Sequence, residues 1–256
     1  MLFILRKLRR SFFLPGKLRT YLAYAVGEIF LIVVGILIAL QISDWNEGKK
    51  DRQKEIKILT SLHQDFATNI DRLDAALLEY DEMDASNLIM MGYVGKPAEA
   101  FENIDPLSVI KTVYAITEIV DGTLSSVLST EKLELIQDDV LKKMLTAYPA
   151  SILSFKQREE NLEKLVLEVQ RPLIESHVSL LAELLPPDEL QFDQVRSQAA
   201  KSDYHGLLND VRWQNVLYGR YWYTDELREA AVELKEKSQQ VFEQISQNLE
   251  SLNALP

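Results

Sequence analysis

The sequence predicts an all-α protein: one transmembrane helix near the N-terminus, then an elongated antiparallel helical bundle. Three observations predict it. Residues 21–42 are apolar except for Glu28 and Gln41, residues 56–80 carry apolar side chains at alternating three- and four-residue spacing, and no segment alternates polar and apolar long enough to suggest a sheet. The expected organisation is a basic tail over 1–20, a membrane span over 21–42 and a helical bundle over 43–256.

The tail carries Arg6, Lys7, Arg9, Arg10, Lys17 and Arg19 and no acid. Its apolar residues, Leu2 to Leu14, suit a segment lying flat on the inner leaflet, with a disordered basic tail as the alternative. Residues 21–42 would form a helix of roughly 33 Å, enough for a hydrocarbon layer of about 30 Å. Tyr21, Tyr24 and Trp45 sit where interfacial aromatics belong. No small-x-small site follows Leu40, so an uncleaved anchor is expected rather than a signal peptide. Both flanks are basic, with Lys49, Lys50, Arg52, Lys54 and Lys57 on the far side. A tail of pure positive charge resists translocation against the membrane potential. That places the N-terminus in the cytoplasm and the bundle on the far side of the membrane.

Within the span, Ala23, Gly27, Gly35 and Ala39 form a stripe of small residues at multiples of four, interrupted by Leu31. Such spacing lets helix backbones approach closely. Glu28 flanks the stripe roughly 10 Å in from Tyr21. Its carboxyl suits either a bond across a helix pair or a return to the cytoplasmic headgroups near Lys17 or Arg19.

The run Tyr24-Ala25-Val26-Gly27-Glu28-Ile29, continuing as Gly35-Ile36-Leu37-Ile38-Ala39-Leu40-Gln41-Ile42 and closing on Trp45-Asn46-Glu47, resembles the N-terminal signature of a bacterial family of unknown function, domain of unknown function 6090. Ser43-Asp44 departs from the Asn-rich pair expected before the Trp. The resemblance implies a basic start, one span, set in a bacterial inner (cytoplasmic) membrane, and a helical remainder, and implies no activity.

Beyond the span, residues 43–256 hold 22 Lys/Arg against 38 Asp/Glu. Ile56, His63, Ile70 and Leu77 alternate with Leu59, Phe66, Leu73 and Tyr80 in a heptad, coiled-coil-like pattern, with His63 on an a position. No Gly or Pro interrupts 49–91, and Gly92 to Pro97 should end that helix. Asp105-Pro106 reads as the start of a short helix running to about Val120. Asp121-Gly122 reads as a turn, followed by a second short helix to about Ile136, with Asp138 or Asp139 capping a long one. Residues 140–184 present Ile152, Phe155, Leu162, Val166, Val169, Leu173, Leu180 and Leu184 on one face, with a start, kink or break expected at Pro149 and Pro172 and an end at Pro186-Pro187. Residues 188–208 read as an irregular connection with room for a short helix. A last helix over 210–252 carries Trp213, Leu217, Leu227, Leu234, Val241, Ile245 and Leu252 on its inner face.

The chemistry expected of this chain is sparse. The protein has 256 residues, three His and no Cys. Missing Cys removes disulfides, thiolate nucleophiles and thiolate metal sites. The net charge of −11 argues against nucleic acid as a partner. His63, His177 and His205 lack metal-pair spacing, and Glu175 and His177 point to different faces of a helix. No phosphate loop, dinucleotide fingerprint or nucleophile elbow occurs. Asp138-Asp139 reads as a cap and Glu159-Glu160 as a solvated face. Neither catalytic residues, nor a metal, nor a cofactor is expected. One dense cluster stands out: Trp213, Tyr218, Arg220, Tyr221 and Trp222, joined by Tyr223. It suits bundle packing, a partner surface or a ligand pocket, and at least one of its aromatics should stay exposed.

The leading expectation is a non-enzymatic membrane-anchored protein that works by protein–protein contact, as a homo-oligomer or with another membrane protein. The alternative is an extracytoplasmic ligand-sensing bundle that signals through a membrane partner, and an envelope hydrolase is a third.

Overall fold

A computed structural model describes residues 17–101, 113–186 and 189–253. Residues 1–16 of the basic tail, the Asp105-Pro106 helix start and Pro187 lie outside the described residues. All regular elements among the described residues are helical. The chain divides into two compact units, Met1–Ile56 and Lys57–Pro256.

Helix α1 spans Lys17–Met91. Along Ile29–Ile42 the large apolar side chains are exposed on nearly every face, up to 71% at Leu31, with Val34 alone half-buried. This stretch makes α1 long and apolar enough to cross a membrane. At about 1.5 Å per residue the whole helix is far too long for one crossing, so the apolar stretch is the part suited to lipid.

The second unit is built on three long helices: α1 from Lys57 on, α3 (Asp139–Lys164) and α8 (Val211–Asn253). Each turns a stripe of three-four spacing inward. On α1 from Lys57 on, the buried residues are Leu59, Leu62, Phe66, Asn69, Leu73, Ala76, Tyr80, Met83, Asn87 and Met90. The expected positions Leu59, Phe66, Leu73 and Tyr80 are therefore right. The other half of the seam sits one residue earlier than expected: Ile56, His63, Ile70 and Leu77 are only half-buried. Apolarity favoured Ile70 over Asn69, but the fold gives Asn69 a backbone partner and turns it in.

Helix α8 runs antiparallel to both others. Its late residues meet early α1, as in the Ser246 hydroxyl 3.0 Å from His63 Nε2, and its early residues meet late α1, as in Asn87 Nδ2 donating to the Leu217 carbonyl at 2.9 Å. The same order holds against α3, from Asn248 on Asp138 to Arg220 on Gln170. Phe66 packs edge-on against Tyr148 at 4.8 Å, and Tyr80 lies beside Glu159, so α1 and α3 run parallel. A parallel pair requires the intervening chain to travel back along the bundle. Gly95 begins that return in the left-handed region, at φ 75°.

Residues 113–121 make part of the return as an extended strap, where a helix to about Val120 was expected. Ala115, Thr117 and Ile119 are buried and Ile116 and Glu118 exposed, the period-two pattern of extended chain. The strap is too short for that alternation to stand out in a sequence. After it come α2 (Gly122–Leu128) and a 3-10 turn over Glu131–Leu135. Asp138 then caps α3, its Oδ1 accepting from Val140 N at 2.8 Å and Leu141 N at 3.2 Å.

Helix α3 continues through Pro149 without ending there. Beyond it, Leu165–Gln170 forms a π-helical turn before α4 (Arg171–Glu175). The wider turn shifts the inward face by one residue, so Gln170 is buried and the expected Val169 is 48% exposed. Leu184 is likewise exposed, because α5 (Leu180–Leu184) leaves the stripe. The connection after it holds a 3-10 turn, α6 (Asp193–Gln198) and α7 (Tyr204–Asn209). Leu207 and Leu208 of α7 close an apolar cluster with Met90, Leu173, Ile174 and Trp213.

Candidate functional site

Two places combine exposed or polar chemistry with defined geometry. The first is the apolar stretch of α1. Gly27, Glu28, Gly35 and Ala39 are all exposed on it, and the side chain of Ala23 lies outside the described residues. A Cβ built on Gly27 or Gly35 meets nothing within 4 Å. Both positions therefore have room for a neighbouring helix backbone.

The second is the layer where the strap crosses the bundle. Asn69 of α1 clasps one strap residue at both ends: its Nδ2 donates to the Val120 carbonyl at 2.8 Å and its Oδ1 accepts the Val120 N–H at 2.7 Å. Arg72 donates to the Glu118 carbonyl. From α3, Glu159 Oε1 accepts the Thr117 N–H at 2.6 Å. From α8, Arg220 Nη2 donates to the Val113 carbonyl at 2.8 Å while its Nη1 donates to Gln170 Oε1 at 2.7 Å. Three helices thus satisfy strap backbone groups with side chains, as buried peptide groups require.

Two of these groups, Glu159 and Arg220, are ionisable and buried. Burial pushes the Glu159 carboxyl above its ordinary value, against the opposing bonds from Thr117 and the nearby Lys156. Burial also lowers Arg220 to about 10, with Asp84 pulling the other way. Arg220 remains a cation at neutral pH, held chiefly by neutral acceptors.

Glu159 corrects an expectation. The Glu159-Glu160 pair was read as a solvated face, yet Glu159 is buried. It falls in step with Ile152, Phe155, Leu162 and Val166 on the inner stripe of α3. A carboxylate on an apolar stripe was the available signal, as was Asn69 between Phe66 and Leu73. Asp138 is the cap that was expected, and Gln244 and Asn248 of α8 also donate to its Oδ2.

The aromatic cluster divides. Trp213 and Arg220 are buried, at 1% and 6% exposure, whereas Tyr218, Tyr221 and Trp222 face outward. The helix turn separates them, because 213 and 220 lie one heptad apart on the inner stripe and 218, 221 and 222 on the opposite side. The five residues therefore do not line one cavity. His63 stacks on Phe242 with ring centroids 4.1 Å apart, and His177 sits 3.9 Å from Asp210. Among the described residues, no three His, Asp or Glu side chains converge in a way that could hold a metal ion.

A helical scaffold with an apolar N-terminal stretch is the architecture that the residues around Tyr24–Glu47 implied. Residues 28–146 match DUF6090, a family of unknown function. The DUF6090 match begins at Glu28 in the apolar stretch and ends within α3. It includes Asn69, Arg72 and the whole strap, and it stops short of Glu159, Gln170 and Arg220. Comparison with curated proteins and with solved structures finds no match.

Proposed function

We propose that this is a single-pass membrane protein of the bacterial cell envelope that works by protein–protein contact rather than catalysis. Its N-terminus is cytoplasmic, residues 21–42 are the span and residues 43–256 are extracytoplasmic. It associates with its own copies or serves as an accessory subunit of another membrane protein. The observation that carries this reading is the set of outward-facing apolar side chains along Ile29–Ile42, with open space beside Gly27 and Gly35. Lipid covers most of such a helix, and a stripe of small residues is where a second helix packs. The basic tail supports the orientation. The ligand-sensing alternative needs the aromatic cluster to line a pocket, and its members point to opposite sides of α8.

The test is crosslinking in the native membrane followed by identification of co-purifying chains. A crosslinked oligomer or membrane neighbour is expected, and Gly35→Leu should abolish it by filling the space a partner helix needs. Unchanged migration of Gly35→Leu, with no crosslinked neighbour, removes the proposal.

A further inference from the structure

The geometry points to a strand-addition site on the α3-facing edge of the strap, shaped for an extended basic segment of a partner protein. This rests on the contact-protein reading above and adds the chemistry of the partner.

In extended chain the N–H and C=O of one residue share an edge, and successive residues alternate edges. Val120 and Glu118 spend their edge on Asn69 and Arg72 of α1. Thr117 donates the other way, to Glu159 of α3. Along that second edge, the Thr117 carbonyl and both backbone groups of Ile119 have no partner among the described residues. The N–H and C=O of one residue are what an antiparallel partner residue takes together.

A groove of about 380 Å³ opens along this edge, between Ile116–Ile119 and α3. Its far wall is Lys156, Glu159, Glu160 and Glu163, and Glu118 stands on the strap side. With Glu159 tied to Thr117, the carboxylates of Glu118, Glu160 and Glu163 stand beside Lys156. Glu118 lies 3.9 Å from Arg72 and Glu160 3.8 Å from Lys164, exposed pairs with which a basic segment competes, and Glu163 has no ion pair among the described residues. Ile116, 62% exposed, supplies an apolar rim. An extended segment with Lys or Arg at every second position and apolar residues between them complements both features. A second copy of this strap is a poor occupant, because it would set its own Glu118 against Glu160 and Glu163.

The test uses the full chain in an uncharged maltoside micelle and a fluorescent octapeptide of alternating Lys and Val, read by anisotropy at physiological ionic strength. Binding is expected. It should weaken about tenfold with Glu160→Lys/Glu163→Lys, and by less than about twofold with the matched reversal Glu229→Lys/Glu236→Lys on the outer face of α8. The same peptide N-methylated at alternate residues, in either register, keeps its charge and loses the backbone donors of one edge; the register that blocks the strap-facing edge should bind about tenfold more weakly. Absence of binding overturns the inference. So does undiminished binding of both N-methylated peptides, or equal weakening by the two reversals, since either leaves only attraction to an acidic surface. If the groove reversal does not fold, the N-methylated peptides decide. A failed peptide experiment alongside persistent crosslinked neighbours overturns the strand site alone and leaves the contact-protein reading standing.

Discussion

Along Ile29–Ile42 nearly all the apolar side chains point outward, and Glu28, which directly precedes them, is exposed as well. From Lys57 onward the apolar side chains turn inward, and Asn69, Glu159, Gln170 and Arg220 are buried among them. The difference is one of partners. A helix satisfies its own backbone, so an apolar surface is enough for it in lipid. The strap has no neighbouring strand among the described residues, so its amides and carbonyls draw polar side chains into the core. Asn69, Glu159 and Arg220 are therefore in the interior of the second unit to serve the strap backbone.

The sharpest way to break this account is Arg220→Ala. It leaves Gln170 Oε1 and the Val113 carbonyl without their donor and should cost about 3 kcal/mol of unfolding free energy, read by chemical denaturation of the full chain in micelles. Arg220→Met keeps the bulk and should recover only part of the loss. Full recovery would make packing, not the strap bond, the reason for the arginine. Next is Asn69→Ala, which removes both bonds to Val120 and should cost about 2 kcal/mol. The Val120 amide should then exchange with solvent faster than amides in the middle of α3.

Glu159→Gln tests the charge alone, since the amide oxygen still accepts from Thr117. A carboxyl pushed above its ordinary 4.5 holds its proton more tightly in the folded protein. Protonation therefore stabilises the fold: the gain is complete below 4.5 and is lost as pH rises through the folded value. The variant should be more stable than the parent at neutral pH, and that advantage should vanish on acidification. An advantage independent of pH would show that Glu159 is not the titrating group. The smallest effect belongs to the outward face of α8. Trp222→Ala should move stability by no more than about 0.5 kcal/mol, which separates it from buried Trp213.

These contrasts also mark what a reader of the sequence can see. The apolar stretch, the end of α1 near Gly92, the Asp138 cap and the inner face of α8 follow from local composition and three-four spacing. Periodicity left the seam of α1 one residue uncertain, because Ile70 and Asn69 flank the same turn and only the distant Val120 chooses between them. Val169 yielded to Gln170 because a π turn leaves no mark in side-chain chemistry. The strap was hidden for a related reason. Its bonds come from residues of three other elements, and the one local signal within 113–121, the β-branched Val113, Ile116, Thr117, Ile119 and Val120, is outweighed in a sequence reading by the helix start at Asp105-Pro106. Of the strap layer, Arg220 stood out beforehand as a member of an aromatic cluster that the fold divides, and Glu159 only as part of a solvated face that it does not occupy.

The order in which the polypeptide leaves the ribosome gives the strap an uneven history. Asn69 precedes Val120 by 51 residues, so that clasp has its side chain ready when the strap emerges. The arginine that holds Val113 follows it by 107 residues. Until that stretch is translated, the nascent chain carries a strap fastened at one end, with its other end open to chaperones and proteases. A ribosome stalled just before codon 220 would hold a product with α1 and all of α3 already made and that end still loose.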